Sequence, residues 1–415
     1  MGSPQYDVVH LGSRTHYQVS RGLDEAGMLS RLLTDVYTPD WIMRAAPRLP
    51  GRVREPLGRR SCPQLPSRKV ELAGLSPTIA NLLQHGRKGD QSYVEGLDRS
   101  FGRAAARRSD SAGVGAVVYS YYWPGFVDGR RSPGSGPRIV FMEHPTPSQV
   151  SRLLSHHRRS APATLPLDPE ETISPASIAE FETSLELADG IIVPCSFART
   201  GLEELGIAPE RIAVVPFGCD RMGLAPTRSG SRAAPSPSTR LKLLWVGQPL
   251  FRKGFRDLIR AYDDLPPGVA DLTLVFPTAA AAQRAGDLSA IPANAVVRTR
   301  ISAAELSEVF ASHDLFVMPS ILEGFGMVYL EALAMGTPVV CTPHTGAADL
   351  ITDGKDGFVV EAGEPRQLTE LLLRVADDRA GLLEMREAAA QIGRTWTWDR
   401  FRQELAGAVV RLAGP

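Results

Sequence analysis

Apolar residues along this chain fall into short, nearly unbroken runs separated by segments of helical spacing. That alternation is what a parallel sheet covered by helices on both faces requires. Runs at 6–11, 115–119, 138–142, 190–194 and 212–216 predict strands in the first half, and runs at 243–247, 316–319 and 339–340 predict strands in the second. Residues 16–33 carry a helical pattern with a break at Gly27, followed by Asp35-Val36-Tyr37. The segment 316–351 is the most legible. After the run 316–319 comes a loop, Glu323-Gly324-Phe325-Gly326, and then good helix formers from Met327 to Ala334. Gly336 stands where a left-handed C-terminal cap belongs, and Pro338 forbids continuation before Val339-Val340. The whole reads as an α/β protein with doubly wound parallel sheets.

A glycine-bearing loop that opens into a helix points unpaired amides and the positive end of the helix dipole into the loop, which favours an anion such as a diphosphate. Gly324, Phe325, Gly326 and Met327 are therefore candidate residues for binding the phosphates of a nucleotide. Glu331 lies four residues after Met327, on the same helix face, where it can accept hydrogen bonds from ribose hydroxyls. Glu323, at the carboxyl end of the strand, sits nearer a reacting group. Each glutamate taken alone also fits a solvated carboxylate on an ordinary βα turn.

Three other strand ends carry candidate chemistry, because ligands of open α/β sheets bind outside the carboxyl ends of the strands. The run 243–247 ends at Gly247 and leads through Gln248 to Arg252-Lys253-Gly254, and fixed cations there can stabilise a departing diphosphate. The run 138–142 ends in Glu143-His144-Pro145, and 6–11 leads into Gly12, Arg14 and His16. A basic turn and a histidine before proline also have plain structural readings, as solvated surface and as a turn residue bonded to backbone.

The segment 319–360 resembles the signature of the family 4 retaining glycosyltransferases, which have the two-domain GT-B fold. Pro319-Ser320, Glu323-Gly324-Phe325-Gly326, Glu331-Ala332, Ala334, Gly336-Thr337-Pro338-Val339-Val340, Gly346, and Gly354 through Gly357-Phe358-Val359-Val360 fall where that pattern places such residues. The segment 214–220 resembles the end of the family's first domain, and Trp396-Thr397-Trp398-Asp399 with the helical pattern 401–412 resembles its terminal crossing helix. The resemblance implies an N-terminal Rossmann-like acceptor domain over 1–225, a linker over 226–240, a donor domain over 241–395 and a C-terminal helix over 396–415 that crosses back. It implies a nucleoside diphosphate sugar donor, UDP- or GDP-linked, a hydroxyl acceptor and retention at the anomeric carbon. Lys253 and the amides after Gly324 would hold the diphosphate, Glu331 the ribose, and Glu323 and His144 the sugar, with Gly12, Arg14 and His16 on the acceptor side. Gln248 departs from the family, which usually has arginine there, so the second cation falls to Arg252 or is missing.

The 415-residue length and 43% hydrophobic content suit two domains of roughly 200 residues. Lys plus Arg and Asp plus Glu both number 46, which gives no case for nucleic acid as a partner. Between residues 44 and 108 basic side chains outnumber acidic ones, which reads either as a surface resting on an anionic membrane or as plain solvated arginine. Cys62, Cys195, Cys219 and Cys341 show no metal-ligand or redox spacing, and no metal or other cofactor is expected. The first residues lack the regions of a signal peptide, and no run approaches the roughly 20 apolar residues a bilayer span needs, so a cytoplasmic location is expected. The Ser-, Pro- and Gly-rich segment 227–239 marks the linker, and 47–66 and 155–175 read as proline- and charge-rich loops where the acceptor would be chosen. Two rivals remain: a sugar-nucleotide epimerase of the same fold, and a non-catalytic nucleotide-sugar-binding subunit, towards which Gln248 leans.

Overall fold

The computed structural model describes residues 3–45, 54, 57–73, 91–111, 113–129, 131–159, 168–220, 240–289 and 291–414. Seven strands form the first sheet: β1 (Gln5–Val9), β2 (Leu29–Thr34), β3 (Val70–Leu72), β4 (Val114–Tyr119), β5 (Arg138–Phe141), β6 (Gly190–Val193) and β7 (Ile212–Val214), in the order β3-β2-β1-β4-β5-β6-β7. Six form the second: β8 (Leu241–Val246), β9 (Ala270–Phe276), β10 (Val296–Thr299), β11 (Leu315–Val317), β12 (Val339–Cys341) and β13 (Gly357–Val359), in the order β10-β9-β8-β11-β12-β13. Every named pairing is parallel. The central strands β5, β6, β11 and β12 are buried at every position, as strands covered by helices on both faces must be.

Both sheets wind outward from an adjacent pair, β1 beside β4 and β8 beside β11, and at these reversals the loops diverge to leave a crevice at the carboxyl ends. The loops after β1, β5, β8 and β11 are those that carry the sequence candidates.

One element differs from the pattern reading. The helix ends at Glu25, Gly27 follows at a φ of +69°, and residues 29–34 form β2 rather than a continued helix. Leu32 and Leu33 pair with Val8 and Val9 of β1 and are fully buried. A run this short fits either period, and the sheet neighbour decides it.

The helix Trp398–Leu412 packs on the helix Gln18–Glu25 at the opposite end of the sequence. Arg402, 6% exposed, donates Nε–H to Glu25 Oε2 at 2.6 Å and Nη1–H to Gln18 Oε1 at 2.8 Å. Trp398 is buried, whereas Trp396 is half-buried under the guanidinium of Arg400 at 3.7 Å. The predicted linker lies outside the described residues except for Arg240. Of the predicted loop 155–175, residues 155–158 close the helix Pro147–Arg158, and Glu171 is ion-paired with Arg158. The predicted loop 47–66 lies partly outside the described residues, and within it Cys62 and Leu65 are buried.

Candidate active site

The helix Met327–Ala334 begins at Gly326, whose φ of +82° only glycine adopts at little cost, and Gly336 follows it at +71°. Among the described residues the amides of Gly326, Met327 and Val328 meet no protein acceptor, so the N-terminus opens onto the cleft with donors to offer. Gly324 explains the tightness of that cleft. A Cβ there would collide with the carbonyl of Glu143 and stand 2.9 Å from His144 Nδ1, so the loop after β11 and the loop after β5 touch across the two domains. From the same side Cys195 Sγ–H donates to the Gly324 carbonyl at 3.1 Å, and burial pushes that thiol up to about 12, which keeps its proton in place.

Glu323 is buried beneath this loop at 6% exposure. It accepts from Lys253 Nζ at 2.6 Å and from Arg252 Nη1 at 3.0 Å. Burial alone would raise its pKa, but the two cations outweigh it and hold the carboxyl down at about 2. The site thus carries two cations and one anion, a positive excess at the foot of the anion-binding helix. Gln248 is exposed, and Arg284 Nη2–H reaches its Oε1 at 3.4 Å. Gly247 lies beside the Lys253 stem.

On the facing wall Arg14 is ion-paired with Glu143 at 3.6 Å and lies over the Tyr121 ring at 4.4 Å, while Tyr121 meets the His144 ring edge-on at 5.9 Å. Thr15 donates to Glu143 Oε1 at 2.8 Å and shares a 2.8 Å hydrogen bond with Tyr119. Thr15, His16 and Tyr17 all have left-handed φ, of 47°, 50° and 61°, a strain that this network holds in place after β1. The amide of Gly12 donates to Asp35 Oδ1 at 2.9 Å.

Sequence reasoning set His16, Arg14 and His144 along one crevice; the structure divides them. His16 lines a cavity of about 450 Å³ with Arg21, Met327, Glu331 and Trp398, whereas His144 lines a separate cavity of about 520 Å³ with Asp98, Tyr121 and Met142. Glu331 and Met327 do share a face and a cavity, and burial raises the Glu331 carboxyl. Asp168 and Tyr121 escaped sequence reasoning, since no local motif marks them, and Glu143 was named only as the neighbour of His144. Among the described residues no group of three or more His, Cys, Asp or Glu converges as a metal site would, and no helix is long and apolar enough to cross a membrane.

Two facing Rossmann-like domains, with an open helix N-terminus and paired cations at the cleft between them, make up the GT-B architecture. Residues 229–396 match the family described as Glycosyl transferases group 1. A D-inositol 3-phosphate glycosyltransferase of Arthrobacter sp. (strain FB24) is 34% identical over 201 residues, which span 46% of this chain and 48% of that one. D-inositol 3-phosphate glycosyltransferase 1 of Catenulispora acidiphila is 28% identical over 334 residues, 76% of this chain and 77% of the other. Sucrose-phosphate synthase from Thermosynechococcus elongatus has the same fold, with a TM-score of 0.70 at 15% identity over 98% of both chains. Residues 229–396 thus carry the sequence of the Glycosyl transferases group 1 family, and about three quarters of the chain is similar to glycosyltransferases: it is an enzyme that moves a sugar from a nucleotide-sugar donor to a hydroxyl group.

Proposed function

We propose that the enzyme transfers a hexose-type sugar from a UDP- or GDP-linked donor to an alcohol with retention at the anomeric carbon, and that it needs no metal. The observation that carries this reading is the buried Lys253–Glu323–Arg252 cluster at the foot of the helix Met327–Ala334. In that reading Lys253, Arg252 and the amides of Phe325, Gly326 and Met327 hold the diphosphate, with Gly247 and Gln248 flanking it. Glu331 accepts from the ribose. Glu323 orients the sugar and sets the cations, and His144 contacts the sugar from the opposite wall. The bond from the anomeric carbon to the diphosphate oxygen breaks as the bond to the acceptor oxygen forms on the same face, and the acceptor proton passes to the departing diphosphate. Water would intercept the sugar, and closure of the two domains around the bound donor and acceptor would keep it out. Gly12 and Arg14 stand on the acceptor side, as the resemblance implies, whereas His16 shares its cavity with Glu331 and so lies beside the ribose.

The names of the relatives make a phosphorylated cyclitol the first acceptor to compare. We read the location as cytoplasmic. Within the stretch 44–108 we read the described residues Arg60, Lys69, Arg99, Arg103 and Arg108 as engaged inside the protein and not as a membrane contact, because each is ion-paired there.

The test is thermal stabilisation by UDP, GDP, ADP and TDP, with Mg²⁺ and with chelator, in the wild type, Lys253→Ala and Glu331→Ala. A nucleotide at about a hundred times its dissociation constant adds roughly 2.7 kcal/mol to the native state. One nucleotide should stabilise the wild type without metal and neither variant to the same degree; the anomeric configuration of the product, read by NMR, then decides retention. Gln248 favours a second reading, a binding subunit without turnover, which predicts stabilisation with no donor consumption.

A further inference from the structure

The cavity of about 520 Å³ beside His144 has walls of Tyr121, Pro124, Met142, Pro145 and Phe181, and its polar side is acidic. Asp98 and Glu95 stand three residues apart on the helix Gln91–Ser109 and so share the face that lines it. The cations in and beside its wall already hold carboxylates, and Arg99 and its partner Glu180 both line the cavity. Arg99 is paired with Glu180 and, at 3.5 Å, with Asp128; Arg14 is paired with Glu143 and covers Tyr121. Glu95 accepts from the Ser177 hydroxyl at 3.2 Å, while Asp98 makes no hydrogen bond or ion pair with a described residue. Burial pushes the Asp98 carboxyl up to about 7, against the pull of Arg14 and with the help of Glu95.

We propose that this cavity receives the acceptor, and that the acceptor is an alcohol with an apolar or aromatic body and an ammonium group that sits against Asp98. The proposal rests on the transferase reading and deepens it. A phosphate placed here would be desolvated beside two carboxylates with no uncommitted cation to meet it, which is costly on both counts. An ammonium group reverses each term: it offsets the desolvated carboxylate, and the apolar or aromatic body that carries it meets the Tyr121 and Phe181 side of the same cavity. His144 belongs to this cavity and also abuts the Gly324 loop, so a hydroxyl of the occupant is delivered to the reacting end of the donor.

The experiment uses the full chain with the nucleotide sugar whose nucleotide stabilises it. Three acceptors are compared: nitrophenyl glucosaminide, its N-acetyl counterpart and inositol phosphate. The amine should exceed its N-acetyl counterpart roughly tenfold in kcat/KM, as a charge-assisted contact requires, and inositol phosphate should not be glycosylated. Asp98→Asn should erase that preference by raising KM for the amine alone, with Glu95→Gln giving a smaller change in the same direction; nucleotide stabilisation of each variant reports that it is folded. Equal or better use of the N-acetyl or phosphorylated acceptor overturns the proposal, as does a preference that survives both substitutions. If no nucleotide stabilises the wild type and no donor is consumed with any acceptor, the transferase reading falls and takes this one with it.

Discussion

Asp168 of the first domain accepts the backbone amide of Arg252 of the second at 2.7 Å, and its other oxygen accepts the amide of Phe251 at 3.0 Å. The carboxylate is 2% exposed, and the loop it grips carries Lys253. A buried carboxylate with two amide donors fixes that loop from across the cleft, so the position of the donor cations depends on how the two domains meet. Arg158 reinforces the join: it pairs with Glu171 and lies over the Phe251 ring at 4.4 Å.

Asp168→Ala should leave two buried amides unmet, at about 1–3 kcal/mol each when no water replaces the carboxylate. The expected outcome is a lower Tm and a donor KM raised roughly tenfold or more, with acceptor KM changed less. Asp168→Asn keeps one acceptor oxygen and should recover part of the loss. Steady-state kinetics with donor and acceptor varied separately would check this, and an unchanged donor KM would sink the latch.

Gly324→Ala probes the closest approach between the walls. The added methyl meets the Glu143 carbonyl and His144 Nδ1, neither of which sits on a flexible stem. Overpacking of this kind costs about 1–3 kcal/mol, and a displacement near 1 Å at the chemistry costs roughly a hundredfold in rate. We expect a folded protein with kcat reduced on that scale, to be read from kcat beside the melting temperature. Near wild-type kcat would mean that the two loops do not meet during turnover.

The contrast between Gly324 and Asp168 shows what a sequence can disclose. The loop and helix from Glu323 to Ala334 were legible because glycines, helix formers and a following proline signal local backbone geometry, and the observed helix has the predicted bounds. The 29–34 segment misled because six residues fit two periods, and only the pairing with β1 decides between them. Asp168 and Arg252 are 84 residues apart, and Thr15 and Glu143 are 128 apart. The second contact exists only once β1 and β5 are set in one sheet, and the first only once the two sheets face each other. The division of His16 and His144 between two cavities is of the same kind: both residues follow strands, yet the sheet order sets which wall each one faces.

Glu323 makes stability depend on pH in a definite direction. Its carboxyl is held at about 2 in the folded protein, below the 4.5 of an unperturbed glutamate. A depressed carboxylate stabilises the native state fully above the unfolded value and loses that contribution as pH falls from about 4.5 to about 2. The shift corresponds to a few kcal/mol at most. The Tm gap between wild type and Glu323→Gln should therefore be widest near neutrality and should narrow below about pH 4.5. Calorimetry across that range tests the point, and a gap that stays constant would show that the ion cluster is not what holds the carboxyl down.

Gln248 and Arg284 bear on how the site does without an arginine after β8. Arg284, from the helix Ala279–Leu288, reaches the Gln248 side chain at 3.4 Å, which brings a guanidinium to the mouth of the donor loop. Both side chains are exposed, so the contact itself is worth little, and its value would come from the charge it offers a bound diphosphate. Arg284→Ala is expected to weaken nucleotide binding by roughly fivefold, with the loss largest at low ionic strength. Gln248→Arg in that background should restore it, since a guanidinium after β8 supplies the same charge from the other side. Titration calorimetry on the two single variants and the double variant reads the compensation directly. If Arg284→Ala binds nucleotide as tightly as the wild type, Arg252 and Lys253 carry the diphosphate unaided, and Gln248→Arg should then tighten binding in either background.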